Sequence, residues 1–151
     1  MTVRIQVEPF APGALLDRFV SGRTDAGAVV SFTGLARSTT DGRAVTRLHL
    51  EAYPPVSLPA IEAMAAEAVR RFGLGDVLVV HRYGDLAPGE AIVFVATAAE
   101  HRRAAFEAAD FLMDRLKVDA PFWKKEHGPD GARWIEARSD DHRDVQRWEK
   151  T

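Results

Sequence analysis

Hydrophobic and polar positions alternate over residues 3–7 and again over 46–53, at the two-residue period of a half-buried strand. Residues 27–33 (Gly-Ala-Val-Val-Ser-Phe-Thr) are almost continuously apolar, which predicts a central strand that ends at Gly34. Residues 76–82 and 91–96 predict two more strands, joined through a turn region at Gly84 and Pro88-Gly89. Helical spacing takes over at apolar positions 58, 61, 64, 65, 68, 69 and 72. That run predicts a helix capped by Ser57, with Pro59 in its first turn and Gly73 closing it. A short helix is expected over residues 12–19 ahead of Gly22, and a polar loop over 37–43.

Thr97-Ala98-Ala99-Glu100 has the capping-box pattern, so a helix is expected from there to about Lys117, with no Gly or Pro inside it. Residues 122–127 and 132–137 then predict a hairpin around Gly128-Pro129-Asp130-Gly131. From Ser139 onward the chain is charged and is expected to be loosely held, with Trp148 available to dock. There is no repeat and no clear linker. Strands and helices interleave irregularly, so the expected class is a single α+β or mixed α/β domain over residues 1–151.

A chain of 151 residues suits one domain with a real core. The formal net charge of -2 gives no reason to propose a nucleic-acid or acidic-membrane partner. No apolar run reaches membrane-spanning length, and the alternating start does not read as a signal peptide, so a cytoplasmic protein is expected. The absence of cysteine removes disulfides, thiolate metal sites and cysteine nucleophiles together. A chain without cysteine also carries no persulfide, so sulfur chemistry here needs sulfur delivered on another molecule. There is no Gly-rich phosphate loop, the five histidines are scattered without metal-ligand spacing, and Ser31 has no nucleophile-elbow motif around it. No metal and no cofactor is expected.

The richest segment is Leu116-Lys117-Val118-Asp119-Ala120-Pro121-Phe122-Trp123-Lys124-Lys125-Glu126, with two lysines seven residues apart across a proline. Pro121 lacks an amide donor and pushes its predecessor out of helical geometry. Lys117 therefore belongs to the last turn of a helix, and Lys124 to the strand that follows. Amines beside apolar surface such as Phe122 and Trp123 lose hydration, which lowers a lysine's pKa and suits it to acid, base or nucleophile work. For either lysine alone, a solvated cation is the plainer reading, since a helix C-terminus favours positive charge anyway. The pair on a Pro-Phe-Trp scaffold points to function.

The other candidates are mostly cationic. Arg37 follows a central strand through Leu35 and Ala36, where loops carry function. His101 and Arg102 fall in the first turn of the long helix, where free amides make an anion site. Arg138 follows the strand that ends at Ala137. Glu126 shares a strand face with Lys124, and Lys125 points to the opposite face. An ordinary surface residue is the plain alternative for each. Together they describe a site for an anionic, phosphorylated small molecule, with two lysines for chemistry or for a carboxylate.

These residues resemble the large, catalytic subunit of molybdopterin synthase. The matching segments are Gly27 to Gly34 with Arg37, Leu50-Glu51-Ala52-Tyr53-Pro54, Val80-His81-Arg82-Tyr83-Gly84 and Gly89 to Val95. Ala99-Glu100-His101-Arg102 and Ala105-Phe106-Glu107 follow, and Lys117 to Glu126 is the most specific. The similarity runs in order from about residue 3 to Trp148. It implies an α/β hammerhead fold with an inserted β-rich portion. It also implies a homodimer that forms a heterotetramer with a small ubiquitin-like sulfur-carrier subunit, whose C-terminal Gly-Gly thiocarboxylate supplies the sulfur. The implied reaction converts cyclic pyranopterin monophosphate to molybdopterin. By position, Lys117 and Lys124 match the active-site lysines, and Arg37, His101, Arg102 and Arg138 the substrate and anion pocket. Leu35 and Ala36 fall in the substrate-contacting loop, and Lys125 and Glu126 beside the second lysine. Leu35 departs from members that carry a basic residue there. The alternative function is a non-catalytic adaptor for a ubiquitin-like tail or an anionic metabolite.

Overall fold

The computed structural model describes residues 1–149. In chain order its elements are β1 (Thr2–Gln6), α1 (Pro12–Val20), β2 (Ala28–Leu35), β3 (Thr39–Thr40), β4 (Arg43–Ala44), β5 (Arg47–Ala52) and α2 (Pro54–Phe72). These are followed by β6 (Asp76–Arg82), β7 (Gly84–Leu86), β8 (Ala91–Ala99), α3 (Arg102–Val118), β9 (Phe122–Gly128), β10 (Gly131–Ile135) and α4 (Ser139–Gln146). The chain is mixed α+β, as its irregular interleaving implies.

One sheet has the order β1-β6-β8-β2, with β1 parallel to β6 and the other pairs antiparallel. The inner strands β6 and β8 are apolar nearly throughout because helices cover both faces. On one side α2 and α3 pack Ile61, Phe111 and Leu112 against Val77, Val79 and Val95. On the other, Leu15 and Phe19 of α1 meet Leu78, Val80 and Phe94. Each large side chain so buried contributes about 1.5–3 kcal/mol. The second sheet, β10-β9-β5-β7, is antiparallel, and its inner face packs Leu48, Leu50 and Leu86 with Ala36.

Several local expectations are corrected. Helix α2 starts at Pro54, three residues before the expected cap, because a proline suits a first turn whose amides have no intrahelical partner. Ser57 is instead fully buried, and its hydroxyl donates to the Pro121 carbonyl at 2.9 Å. Gly73, at φ 64°, ends the helix as expected. The capping box does not form. Strand β8, paired on both edges, runs on to Ala99, and the Thr97 hydroxyl donates to the Ala105 carbonyl. Tertiary pairing overrides the local signal, and His101 becomes the N-cap residue. The polar loop over 37–43 folds into the β3–β4 ribbon, turned by Asp41 and Gly42 at φ 50° and 77°. Strand β7 was not expected. The end of the chain, expected to be loose, forms α4 with Val145 buried. Trp148 docks edge-on against Phe72 and Phe111, and its indole N–H donates to Asp114 at 2.6 Å. The charged sequence there hides two well-placed apolar anchors. Among the described residues, no helix is long and apolar enough to cross a membrane.

Candidate active site

Strand β2 ends in an irregularity of register between Gly34 and Leu35. A side chain at Gly34 would stand 2.7 Å from a Val93 methyl, so the close approach requires glycine. Such irregularities re-aim the chain. Ala36 beyond it is buried, donates its N–H to the Glu90 carbonyl at 2.9 Å and accepts from the Gly89 N–H at 2.7 Å. Ala36 is thus a fixed support, while Leu35 and Arg37 on either side of it are exposed.

Helix α3 stops where expected, with the Asp119 N–H bonded to the Arg115 carbonyl at 2.8 Å. Lys117 is exposed in its last turn. After three intervening residues, 119–121, β9 begins, and its register pairs Lys124 with Leu50 and Ile135, and Glu126 with Leu48 and Arg133. Lys124 and Glu126 therefore share the inner face of the second sheet. Lys125 takes the outer face, with its ammonium 5.1 Å from the Trp134 ring centre. Its side chain is thereby kept out of the cluster in which the family resemblance groups it. Glu126 is buried, and three groups offset the cost of burying its charge. The Thr40 hydroxyl donates to it at 3.1 Å, Lys124 lies 3.9 Å away and Arg133 3.8 Å.

Burial pushes the Lys124 pKa below its ordinary value, and the positive charges of Lys117 and Arg37 push the same way. The carboxylates of Glu126 and Asp141 oppose them. One chain thus gathers Arg37, Lys117, Lys124 and Glu126 from three segments, with Asp141 of α4 beside them. Under them lies His81 of β6, buried and held to a pKa of about 4, first by burial and then by the Lys117 charge, against the raising effect of its bond to the Arg82 carbonyl. Arg138 is the exposed N-cap residue of α4, and its backbone N–H donates to the Asp141 carboxylate at 2.9 Å. The start of α4 is therefore at the lysine end of its own chain.

His101 and Arg102 are elsewhere. Both are exposed at the start of α3, where no side chain caps the free amides. An unbroken helix separates His101 from Lys117 by sixteen residues. At about 1.5 Å per residue that is roughly 24 Å. Nothing in the sequence marks Thr40, Ser57, His81, Arg133 or Asp141 as part of this site, and Ser57 reads there only as a helix cap. His81 stands out only as an imidazole at the end of the apolar run Val77-Leu78-Val79-Val80.

The family model for MoaE protein matches residues 5–119. The chain is 57% identical over 150 residues to the molybdopterin synthase catalytic subunit of Caulobacter vibrioides, covering 99% of each. Its fold is similar to the molybdopterin biosynthesis MoaE protein of Burkholderia ambifaria, with a TM-score of 0.82 at 44% identity over 98% of this chain and 97% of that one. It also shares the fold of a chain in the complex of subunits 1 and 2 of molybdopterin-converting factor from Helicobacter pylori, with a TM-score of 0.73 at 20% identity, covering 91% and 90%.

Proposed function

The chain belongs to the MoaE protein family, the catalytic subunits of molybdopterin synthase, and we propose that it converts cyclic pyranopterin monophosphate to molybdopterin. The sulfur arrives as the C-terminal thiocarboxylate of a small ubiquitin-like subunit. The observation that carries this reading is the pairing of an exposed Lys117 with a half-buried Lys124 whose pKa is lowered, beside Arg37. A chain without cysteine needs an external sulfur donor, which supports delivery on a partner's tail. A cytoplasmic location goes with this chemistry.

Lys117 lies against the thiocarboxylate carbonyl and stabilises the negative charge that develops on its oxygen. Lys124, with a larger neutral fraction than an ordinary lysine, moves a proton to or from the pterin. Glu126 orients Lys124, and Arg37 meets the substrate phosphate. His101 and Arg102 supply the rest of the anion pocket, and Arg138 borders it.

The two ends of α3 serve one site only if two copies combine. Strand β2 supports this arrangement. It is an edge strand without a charged residue, with Phe32 41% and Leu35 56% exposed, and Phe106 of the adjoining α3 is 61% exposed. Residues 28–35 span roughly 24 Å at about 3.4 Å per residue, the same length as the separation along α3. A second copy set antiparallel along this edge brings its His101 and Arg102 to the first copy's Arg37, Lys117 and Lys124. The complete assembly is then a heterotetramer, with one small subunit serving each site.

The test is conversion of cyclic pyranopterin monophosphate by the purified chain with a thiocarboxylated small subunit. Turnover is expected with the intact tail and none after removal of its terminal Gly-Gly. Full-rate turnover with free sulfide at low concentration would refute tail delivery.

A further inference from the structure

Only Asp119, Ala120 and Pro121 separate α3 from β9, and the two lysines hang on either side of this joint. Two groups from distant elements grip it. Ser57 of α2, with no solvent exposure, donates its hydroxyl to the Pro121 carbonyl at 2.9 Å. His81 of β6 lays its imidazole flat on the Phe122 ring, with centroids 4.1 Å apart and planes 14° apart. The other anchor of His81 is the Arg82 carbonyl, 2.8 Å from Nδ1. That bond places the proton of the neutral ring on Nδ1. Inside the joint, the Phe122 N–H closes a tight turn to the Ala120 carbonyl at 2.8 Å.

Neither Ser57 nor His81 has a role in the proposed chemistry, and neither is a low-cost core residue. Burying a hydroxyl or an imidazole costs free energy unless it is hydrogen-bonded, and an apolar side chain would fill the same space without that risk. What a satisfied buried polar group adds is a single defined geometry. Both converge on consecutive residues, Pro121 and Phe122, just before Lys124. A neutral ring also suits the place, since an imidazolium would add a further positive charge beside Lys117 and Lys124.

We infer that Ser57 and His81 are positioning residues, which clamp the Pro121-Phe122 joint and so hold Lys124 half-buried at a fixed spacing from Lys117. The kinetic consequence rests on the proposed function, whereas the placement of Lys124 does not. The charged groups that act on Lys124 are Lys117 of α3, Glu126 of its own strand, Arg37 of the loop after β2 and Asp141 of α4. The clamp variants leave all four in the sequence. If the joint loosens, Lys124 regains water and separates from Lys117, and its pKa climbs toward the ordinary lysine value of 10.5.

The experiment follows the side-chain carbon shifts of Lys124 by NMR titration of the full chain, assigned with Lys124→Arg, in wild type, His81→Phe, His81→Ala and Ser57→Ala. Sulfur transfer is measured in parallel on each variant complexed with the thiocarboxylated small subunit. His81→Phe keeps a ring on Phe122 but loses the bond to the Arg82 carbonyl, so it should raise the Lys124 pKa less than His81→Ala does, with kcat within about threefold of wild type. His81→Ala and Ser57→Ala should raise the Lys124 pKa and cut kcat by about tenfold or more, since misplacing a reacting group by a fraction of an ångström is costly. KM should change less than kcat. Should His81→Ala not fold, Ser57→Ala decides. Unchanged Lys124 titration in the folded alanine variants overturns the clamp, as does a His81→Phe variant as impaired as His81→Ala. If the pKa values move as expected but the wild-type complex transfers no sulfur, the clamp stands and the proposed function falls.

Discussion

The Lys124 ammonium lies 3.9 Å from Oε1 of Glu126, two residues further along the same face of β9. The buried carboxylate favours the charged amine, yet burial, Lys117 and Arg37 together hold the Lys124 pKa below its ordinary value. If neutral Lys124 accepts a proton in the reaction, turnover falls as pH drops through its pKa. Glu126→Gln removes the anion that favours the ammonium, so the pKa falls further and the acid limb of the pH–rate profile moves to lower pH. Arg37→Met removes a cation and should move that limb the other way. Profiles of both variants check this, and a Glu126→Gln limb displaced to higher pH would remove Lys124 as the titrating group.

Lys117→Ala should lower sulfur transfer by on the order of a hundredfold or more, as expected for a group that stabilises developing charge. Lys117 is exposed, so the thermal transition should hardly move. Lys124→Ala should impair transfer as well. Near-normal turnover in the Lys117 variant contradicts its catalytic assignment.

A mixed dimer of a His101→Ala chain with a Lys117→Ala chain tests the sharing of each site. If His101 acts across the two-fold, one site of the mixed dimer keeps both residues and the other keeps neither. Activity should return to about half of the wild-type value. The arrangement is wrong if mixed dimers form and remain inactive.

His81 should leave a mark on stability. Its folded pKa of about 4 lies below its ordinary 6.5. Between those values the unfolded chain binds a proton that the folded chain does not, so stability rises with pH across this window and is lost as pH falls through it. The loss amounts to roughly 3 kcal/mol by pH 4. His81→Phe should flatten this part of the pH–stability curve. Denaturant titrations of both proteins from pH 7 to pH 4 measure the difference, and parallel curves would show that His81 does not supply it.

Residues 76–82 and 91–96 were legible in the sequence because apolar runs record burial directly, and the helix ending near Lys117 because no Gly or Pro interrupts the chain before Pro121. Local polar signals were less reliable. Ser57 and Thr97 both look like caps, yet each gives its hydroxyl to a backbone carbonyl made available by tertiary packing. The placement of Lys117 in a last helical turn and of Lys124 on the following strand was visible from Pro121. The strand alternation also placed Lys125 on the face opposite Lys124, where it lies. Thr40 and Arg133 were not visible as partners of Glu126, because the pairing of β9 with β10 and the fold of the β3–β4 ribbon decide who meets that carboxylate. The separation of His101 from Lys117 was readable as arithmetic, since a helix without Gly or Pro has a known length.

That helix also restricts how the gene can change. Deleting one residue from the middle of α3 turns everything beyond it by about 100° and shortens the span by about 1.5 Å. Lys117 would then leave the β9 side of the molecule while His101 stayed in place. In a two-fold assembly the same slip acts on both sites at once. Substitutions on the exposed face of α3 can accumulate one at a time, whereas a change in its length has no small first step.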